Sequence, residues 1–489
     1  MAQLTYRINP FRRYKSATLH KPISPALRAL RWEGVLCEPL AFMIHLLPFI
    51  MVKELSASEN MIAVYVALKP VSALFSVYCV QLFAPAFTRY YLYLIVSGVL
   101  ARLLFCMFPM YFLVGDYDLL NYGVLSSMAI YMMLYRSAMP LWNELLRRKV
   151  PSKTQRASFL SFSSTSGYIF GVALSFSIGA IMQRYPHVWG YLFLGSALIG
   201  MIFVYLQSQI PKIPEHIADT KGDTQSKNDS LPVGHKQLFY ILKPIKEAVA
   251  VLKQRPDFLN FQVGFTLCGA SIMMIYAVMA HFFVEKLQVS YSQIALAIAC
   301  FRALGYFFTS RFWAYLLAEK EHNSERHIHP NSEKSVSNTN NGFASREVPS
   351  FFSTSRIVFC AVALFPLFLL LASLWPSWRL LCVYTAFFFY GTGLAGNHLV
   401  WHLSPAAFSN EKGDCSTIYS RVHLLAVGVR GLIFPQVGLL LSWLIGVEGV
   451  LLVSVLLSVS AALWMQIFAP KAETTLTTPM AKAKGFLIH

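Results

Sequence analysis

Apolar residues in this chain arrive in blocks, with polar residues gathered between them. Twelve blocks stand out, at 32–52, 61–84, 90–113, 119–142, 157–182, 188–207, 257–284, 291–317, 352–374, 380–402, 418–443 and 447–469. A helix rises 1.5 Å per residue, so about 20 apolar residues cross the roughly 30 Å hydrocarbon core of a bilayer. The pattern predicts an all-α polytopic membrane protein with twelve transmembrane helices, called spans one to twelve below. Two polar stretches interrupt the series. One, 208–256, separates six spans from six. The other, 319–350, lies between spans eight and nine. The expected organisation is a basic tail 1–31, a six-helix bundle 32–207, a linker 208–256, a second bundle 257–469 carrying the 319–350 insertion, and a tail 470–489.

Polar composition sharpens this picture. Of 489 residues, 56% are apolar and 13% charged, against about 25% charged in soluble domains. The mean hydropathy is +0.51. The net charge of +18 would suit a nucleic-acid partner were it spread over one surface. It sits instead in alternate loops. Seven Lys and Arg precede Trp32, the loop after span four carries Arg147, Arg148, Lys149, Lys153 and Arg156, and 208–256 carries eight. The turn at 115–120 has two Asp and no base. Cationic loops stay in the cytoplasm, so both termini are expected there, with a bacterial inner membrane as the setting and no nucleic-acid partner. The early linker, "EHIADTKGDTQSKNDSLPVGH", reads as flexible chain. His327 and His329 read as part of a solvated loop, and the Asn228 sequon falls on the cytoplasmic side. The eight Cys show no CxxC spacing and are expected as free thiols.

The chain repeats itself weakly. "VKELSASENMIA" at 52–63 returns as "VEKLQVSYSQIA" at 284–295. The first copy joins spans one and two, the second spans seven and eight. Trp142 ends span four and Trp401 ends span ten. Arg156 and Cys415, at the starts of spans five and eleven, follow these tryptophans at equal separations. Both halves begin on the same side, so the expectation is two parallel six-helix pseudo-repeats related by an axis along the membrane normal. Transporters so built hold their site between the halves. On this architecture the chain resembles the major facilitator superfamily, and "YSRVHLLAVGVRGLIFPQVG" at 419–438 is similar to the eleventh span of bacterial members. The family's Gly-x-x-x-Asp-Arg-x-Gly-Arg-Arg signature after span two is replaced by "LFAPAFTRYYLY", with Arg89 alone, and "FWAYLLAEK" after span eight carries Glu319 and Lys320. The resemblance implies alternating access, with spans one, four, seven and ten lining the cavity.

Ionisable groups inside a membrane cost several kcal/mol by insertion scales and default to functional candidates. On span one, Gly34, Glu38, Ala41 and His45 share a face at helical spacing. Glu38 and His45 are the candidates for carrying a coupling proton, with a structural ion pair as the alternative for Glu38. Lys69 precedes Pro70 at an expected bend in span two. Arg102 is central in span three. Arg136 shares a stripe of span four with Tyr122, Ser126 and Asn143, and is the first choice for gripping a substrate anion, since guanidinium binds carboxylate or phosphate through two bonds. Span seven offers Gln262 and Tyr276, and span ten Asn397 and His398, to the same substrate site. Arg302 on span eight, and His423 and Arg430 on span eleven, with Lys69, are read as structural or gating groups. No third ligand joins His398 and His402, so no metal is expected, and no cofactor.

Five deep bases face one clear acid, Glu38. That imbalance suggests a small organic anion as substrate, a carboxylate or a phosphorylated metabolite. Without a Gly-x-x-x-x-Gly-Lys-Ser/Thr loop, ATP is not the energy source. A proton or ion gradient is expected to drive a monomeric secondary transporter. A multidrug or lipid exporter of the same fold, and a non-transporting receptor or scaffold, are the other readings. A membrane enzyme is disfavoured, because Trp401, His402, Glu411 and Asp414 match no catalytic pattern.

Overall fold

The computed structural model describes residues 30–83, 87–113, 115–149, 153–210, 233–326, 343–408 and 416–470. Each apolar block has become a helix. Spans one to six are Glu33–Leu55, Glu59–Phe83, Phe87–Cys106, Tyr117–Lys149, Lys153–Arg184 and Trp189–Ser208. Span seven, Pro256–His281, runs on through a π-helical turn, Phe282–Lys286. Span eight is Tyr291–Leu296, a second π-helical turn Ala297–Phe301, and Arg302–Arg326. Spans nine and ten are Phe343–Leu374 and Arg379–Phe408. Ser416–Ile467 holds spans eleven and twelve, which divide at Gly446, where φ is 75°. Glycine accepts that angle without the Cβ penalty other residues meet. By length and hydropathy taken alone, eight helical stretches among the described residues are able to cross a membrane, Ile418–Ile467 counting as one. A further helix, Val233–Gln254, lies in the link between the halves. Its Glu247 meets Arg421 of span eleven at 3.4 Å.

The outer surface is apolar as well as the core. Leu92, Ile169, Leu444 and Ile467 are each more than 60% exposed, which suits contact with lipid. In lipid, helix association relies on close packing through small residues rather than on escape from water. Spans one and five meet where Gly34 donates its N–H to Ser163 Oγ at 2.9 Å and Gly167 abuts the Gly34 backbone. Spans eight and ten meet backbone to backbone at Gly305 and Gly391.

The repeat is visible in the backbone. Ser56 and Gln288, at matching places in the two copies, are the two non-glycine residues with positive φ among those described, at 50° and 49°. Around them the same bonds recur: Ala57 N–H to Met51 O and Val289 N–H to Phe283 O, each 2.9 Å. Ser58 and Ser290 then each accept from a backbone N–H one helical turn on, at 3.4 and 3.3 Å. A left-handed residue closing one helix and a serine capping the next form a sharp reversal. The identities shared by the two stretches thus encode one local structure used twice.

The two reversals also meet each other. They lie at the end of the bundle opposite Leu30 and Ile467, where the described helices begin and finish; this is termed the far end, and the other the tail end. Tyr291 Oη donates to Glu54 Oε1 at 2.7 Å, and its N–H to Gln183 Oε1 at 3.1 Å. The Tyr291 ring receives Phe49 edge-on and Lys53 Nζ 4.5 Å from its centre. His281 Nε2 donates to Ala57 O at 3.0 Å, and Trp443 Nε1 to Glu59 Oε2 at 2.8 Å. Two close crossings extend the seam inward. Gly179 of span five packs on Ser292 and Ala295 of span eight, and Gly428 and Gly431 of span eleven receive Leu74 and Pro70 of span two.

Candidate functional site

Below the far-end seam, the halves present polar side chains to one another. Spans five and eight run antiparallel. Gly179 meets Ala295 at one level, and the Tyr168 and Tyr306 rings meet with centres 5.0 Å apart at another. Gly171 is therefore level with Arg302. Glu38 of span one occupies the room that Gly171 leaves, since a Cβ there would lie 2.6 Å from Glu38 Oε1. Glu38 and Arg302 consequently face each other across the boundary between the halves, within electrostatic reach.

Neither is neutralised by direct contact. The Arg302 side chain is 9% exposed and its buried Nε has no partner. No described residue forms a hydrogen bond or ion pair with the Arg302 guanidinium or the Glu38 carboxylate. Arg102 and Arg430 also keep an unpaired buried Nε, but both reach carbonyl oxygens through Nη1, and Arg302 makes no such bond to a described residue; burying a charged nitrogen without an acceptor is costly. The chain also departs from α-helix just before it: the π-helical turn Ala297–Phe301 ends at Arg302. Such turns shift side-chain register locally and gather at functional sites.

Other groups complete the surroundings. His45, midway along span one, is exposed although Arg302 of the other half and Lys69 of span two both act on it electrostatically. Its free surface therefore opens onto the space between the halves. Tyr168 feels the charges of Arg302 and Glu38. Tyr276 donates a hydrogen bond to Tyr390, whose ring packs on Phe365 at 5.0 Å. Tyr306 and His398 Nδ1 approach to 3.3 Å, and His398 is exposed. His398 stands two helical turns tailward of Tyr390, about 12 Å along the helix, so the accessible space reaches toward the tails.

The other sequence candidates are placed differently. Arg102 is buried inside the first bundle, donating to Gly98 O at 3.0 Å and Cys37 Sγ at 3.7 Å, over the Phe203 ring and beside Gly200. Gln262 and His423 bond to each other at 3.0 Å inside the second bundle, with Trp401 edge-on to the His423 ring. Arg430 donates to Phe265 O at 2.8 Å in that same interior, filling the space beside Gly269. Asn397 keeps its Oδ1 buried without a partner. Lys69 is exposed on span two. Arg136 and Asn143 lie on the helix of span four, and their side chains fall outside the described residues, as do those of Arg89, Glu319 and His402. Tyr168, Tyr306 and Tyr390 were not singled out in the sequence. Their signal, a hydroxyl-bearing ring inside an apolar span, is shared with many packing tyrosines.

Solved structures of similar shape bear on the fold. A mutant form of the nucleoside transporter NupG superposes with a TM-score of 0.58 over 91% of this chain and 99% of its own, at 12% identity. A D-xylose–proton symporter gives 0.58 over 92% and 97%, at 13% identity. A POT family transporter in complex with a thioalcohol-conjugated peptide gives 0.60 over 91% and 96%, at 10% identity. The chain has the major facilitator fold. No family model and no curated protein matches its sequence. Within this fold, Glu38 and Arg302 lie where spans one and five pack beside span eight.

Proposed function

We propose that this protein is a secondary transporter that moves a small organic anion together with a proton, binding the anion at Arg302 and the proton at Glu38. The observation that carries the reading is the buried, unpartnered Arg302 guanidinium facing the unpartnered Glu38 carboxylate between the halves. An ionised Glu38 competes electrostatically with an anion for Arg302. A proton on Glu38 removes that competition, so each ligand strengthens the binding of the other, and by linkage the two factors are equal. The Tyr168, Tyr306 and Tyr390 hydroxyls offer hydrogen bonds to the rest of the solute. The far-end seam around Tyr291 and the accessible tailward space at His398 support a state closed at the far end. With the basic loops at the tail end, that state opens to the cytoplasm of an inner membrane. The cargoes named for the similar structures are a nucleoside, a sugar and a peptide. They differ from one another and assign none to this chain.

The test is a thermal-shift screen of purified protein against carboxylates, phosphate esters, neutral sugars, nucleosides and lipophilic cations. A ligand at 100 times its Kd stabilises by about 2.7 kcal/mol. Stabilisation by one anion class, lost in Arg302→Gln, is the expected result. Stabilisation by neutral or cationic solutes alone, or an anion response that survives Arg302→Gln, refutes the reading.

A further inference from the structure

A second arginine with no hydrogen-bond or ion-pair partner among the described residues lies on the outside of the molecule. Between spans nine and twelve runs a groove of about 280 Å³, lined by Arg356, Ile357 and Cys360 on one side and Val459, Leu463 and Gln466 on the other. Leu463 is 53% and Val459 40% exposed, and Cys360 is exposed. The groove therefore opens outward, toward lipid rather than into the bundle. Its two polar members share one end. Arg356 precedes the uncharged run 357–374 that completes the helix of span nine, and Gln466 is next to the last residue of span twelve. Both stand at the tail-end border of the apolar band. No described residue forms a hydrogen bond or ion pair with Arg356.

A guanidinium at the border of hydrocarbon attracts anionic head groups, and phosphate fits its two-pronged geometry. An apolar trough leading from that guanidinium into the hydrocarbon needs a chain to fill it. One molecule meets both demands. We propose that this groove binds an anionic phospholipid, with its phosphate on Arg356 and the Gln466 amide and an acyl chain along Ile357, Cys360, Val459 and Leu463. A membrane leaflet facing cationic loops is the leaflet in which anionic lipid concentrates. The structure contains its own contrast. A larger groove of about 520 Å³ at the far end, lined by Phe368, Leu371, Trp375, Trp378 and Thr385 among others, has no charged side chain, and should not distinguish lipids by head-group charge.

Native mass spectrometry of the full chain tests this. Phosphatidylglycerol and phosphatidylcholine with the same acyl chains are added in equal amounts, and glycerol phosphate is added separately. Wild type should retain phosphatidylglycerol about tenfold over phosphatidylcholine, because both carry the phosphate but the choline cation of the second offsets its charge and is repelled by Arg356. Arg356→Gln should abolish that preference, Arg356→Lys should keep part of it, and Trp378→Ala should leave it intact. Equal retention of both lipids by wild type, or an unchanged preference in Arg356→Gln, overturns the proposal. So does displacement of phosphatidylglycerol by equimolar glycerol phosphate, which would reveal a site for soluble phosphate instead. Arg356→Lys keeps the charge and the packing, so its partial preference separates loss of the site from loss of the fold.

Discussion

Removing one oxygen atom at Tyr291 should loosen the far end of the molecule by a calculable amount. Tyr291→Phe keeps the ring, and with it the edge contact to Phe49 and the Lys53 cation over its face. It deletes the hydroxyl that donates to Glu54 Oε1 at 2.7 Å. Glu54 is only 11% exposed as a side chain, and its other neighbour, His187, stands 3.9 Å away and is 89% exposed, so it offers little compensation. A hydrogen bond to a charged group is worth about 1.5–3 kcal/mol net. When the halves part at this end, both groups become hydrated, so most of that energy favours the closed state alone. The ratio of closed to open should fall about 10- to 150-fold. The assay is alkylation of His45→Cys by a membrane-impermeant maleimide in sealed vesicles whose medium faces the far end, read at the residue-45 peptide by mass spectrometry. That position lies inside, between the halves, and reacts from this side only while the seam is open. When opening and closing are fast, the rate follows the open fraction. Adding Tyr291→Phe should accelerate labelling by the same 10- to 150-fold. A change below twofold in folded protein would refute the view that this bond secures the far end.

Three further outcomes follow from the same structure. If Glu38 carries the coupling proton, Glu38→Gln should lose gradient-driven accumulation in vesicles yet keep exchange of labelled for unlabelled solute, and equal accumulation would exclude that role. Gly171→Ala places a Cβ 2.6 Å from Glu38 Oε1 and should impair transport while changing melting temperature little, whereas unaltered transport would show that the carboxylate position is unimportant. Ser56→Gly and Gln288→Gly each relieve a left-handed residue. Offset by the added freedom of glycine in the unfolded chain, each should stabilise by up to about 1 kcal/mol, and a lowered melting temperature in either would contradict the cap assignment.

The helical, membrane-spanning character and the repeated reversal were legible in the sequence because each depends on local physics, whereas helix ends such as Lys149, Arg326 and Phe343 lie seven to nine residues beyond the apolar blocks. Apolar length is set by the bilayer, and the reversals at Ser56 and Gln288 are set by a left-handed cap followed by a serine cap, so one short stretch suffices to write each. The candidate site was legible only in part. Glu38 and His45 were recognisable as costly groups on one helical face, and they do look onto the space between the halves. Arg302, read from the sequence as a gating or structural group, proved to be the cation facing Glu38, while Arg102 and Arg430 turned into their own bundles and found backbone carbonyls at Gly98 and Phe265. Nothing in a one-dimensional pattern separates these three arginines, each embedded in an apolar span. Which of them meets a carbonyl, and which is left facing a carboxylate across a gap, depends on how neighbouring helices are rotated and how closely glycines such as Gly171, Gly200 and Gly269 let them approach. Those are properties of packing between segments far apart in the chain, and the tertiary structure decides them.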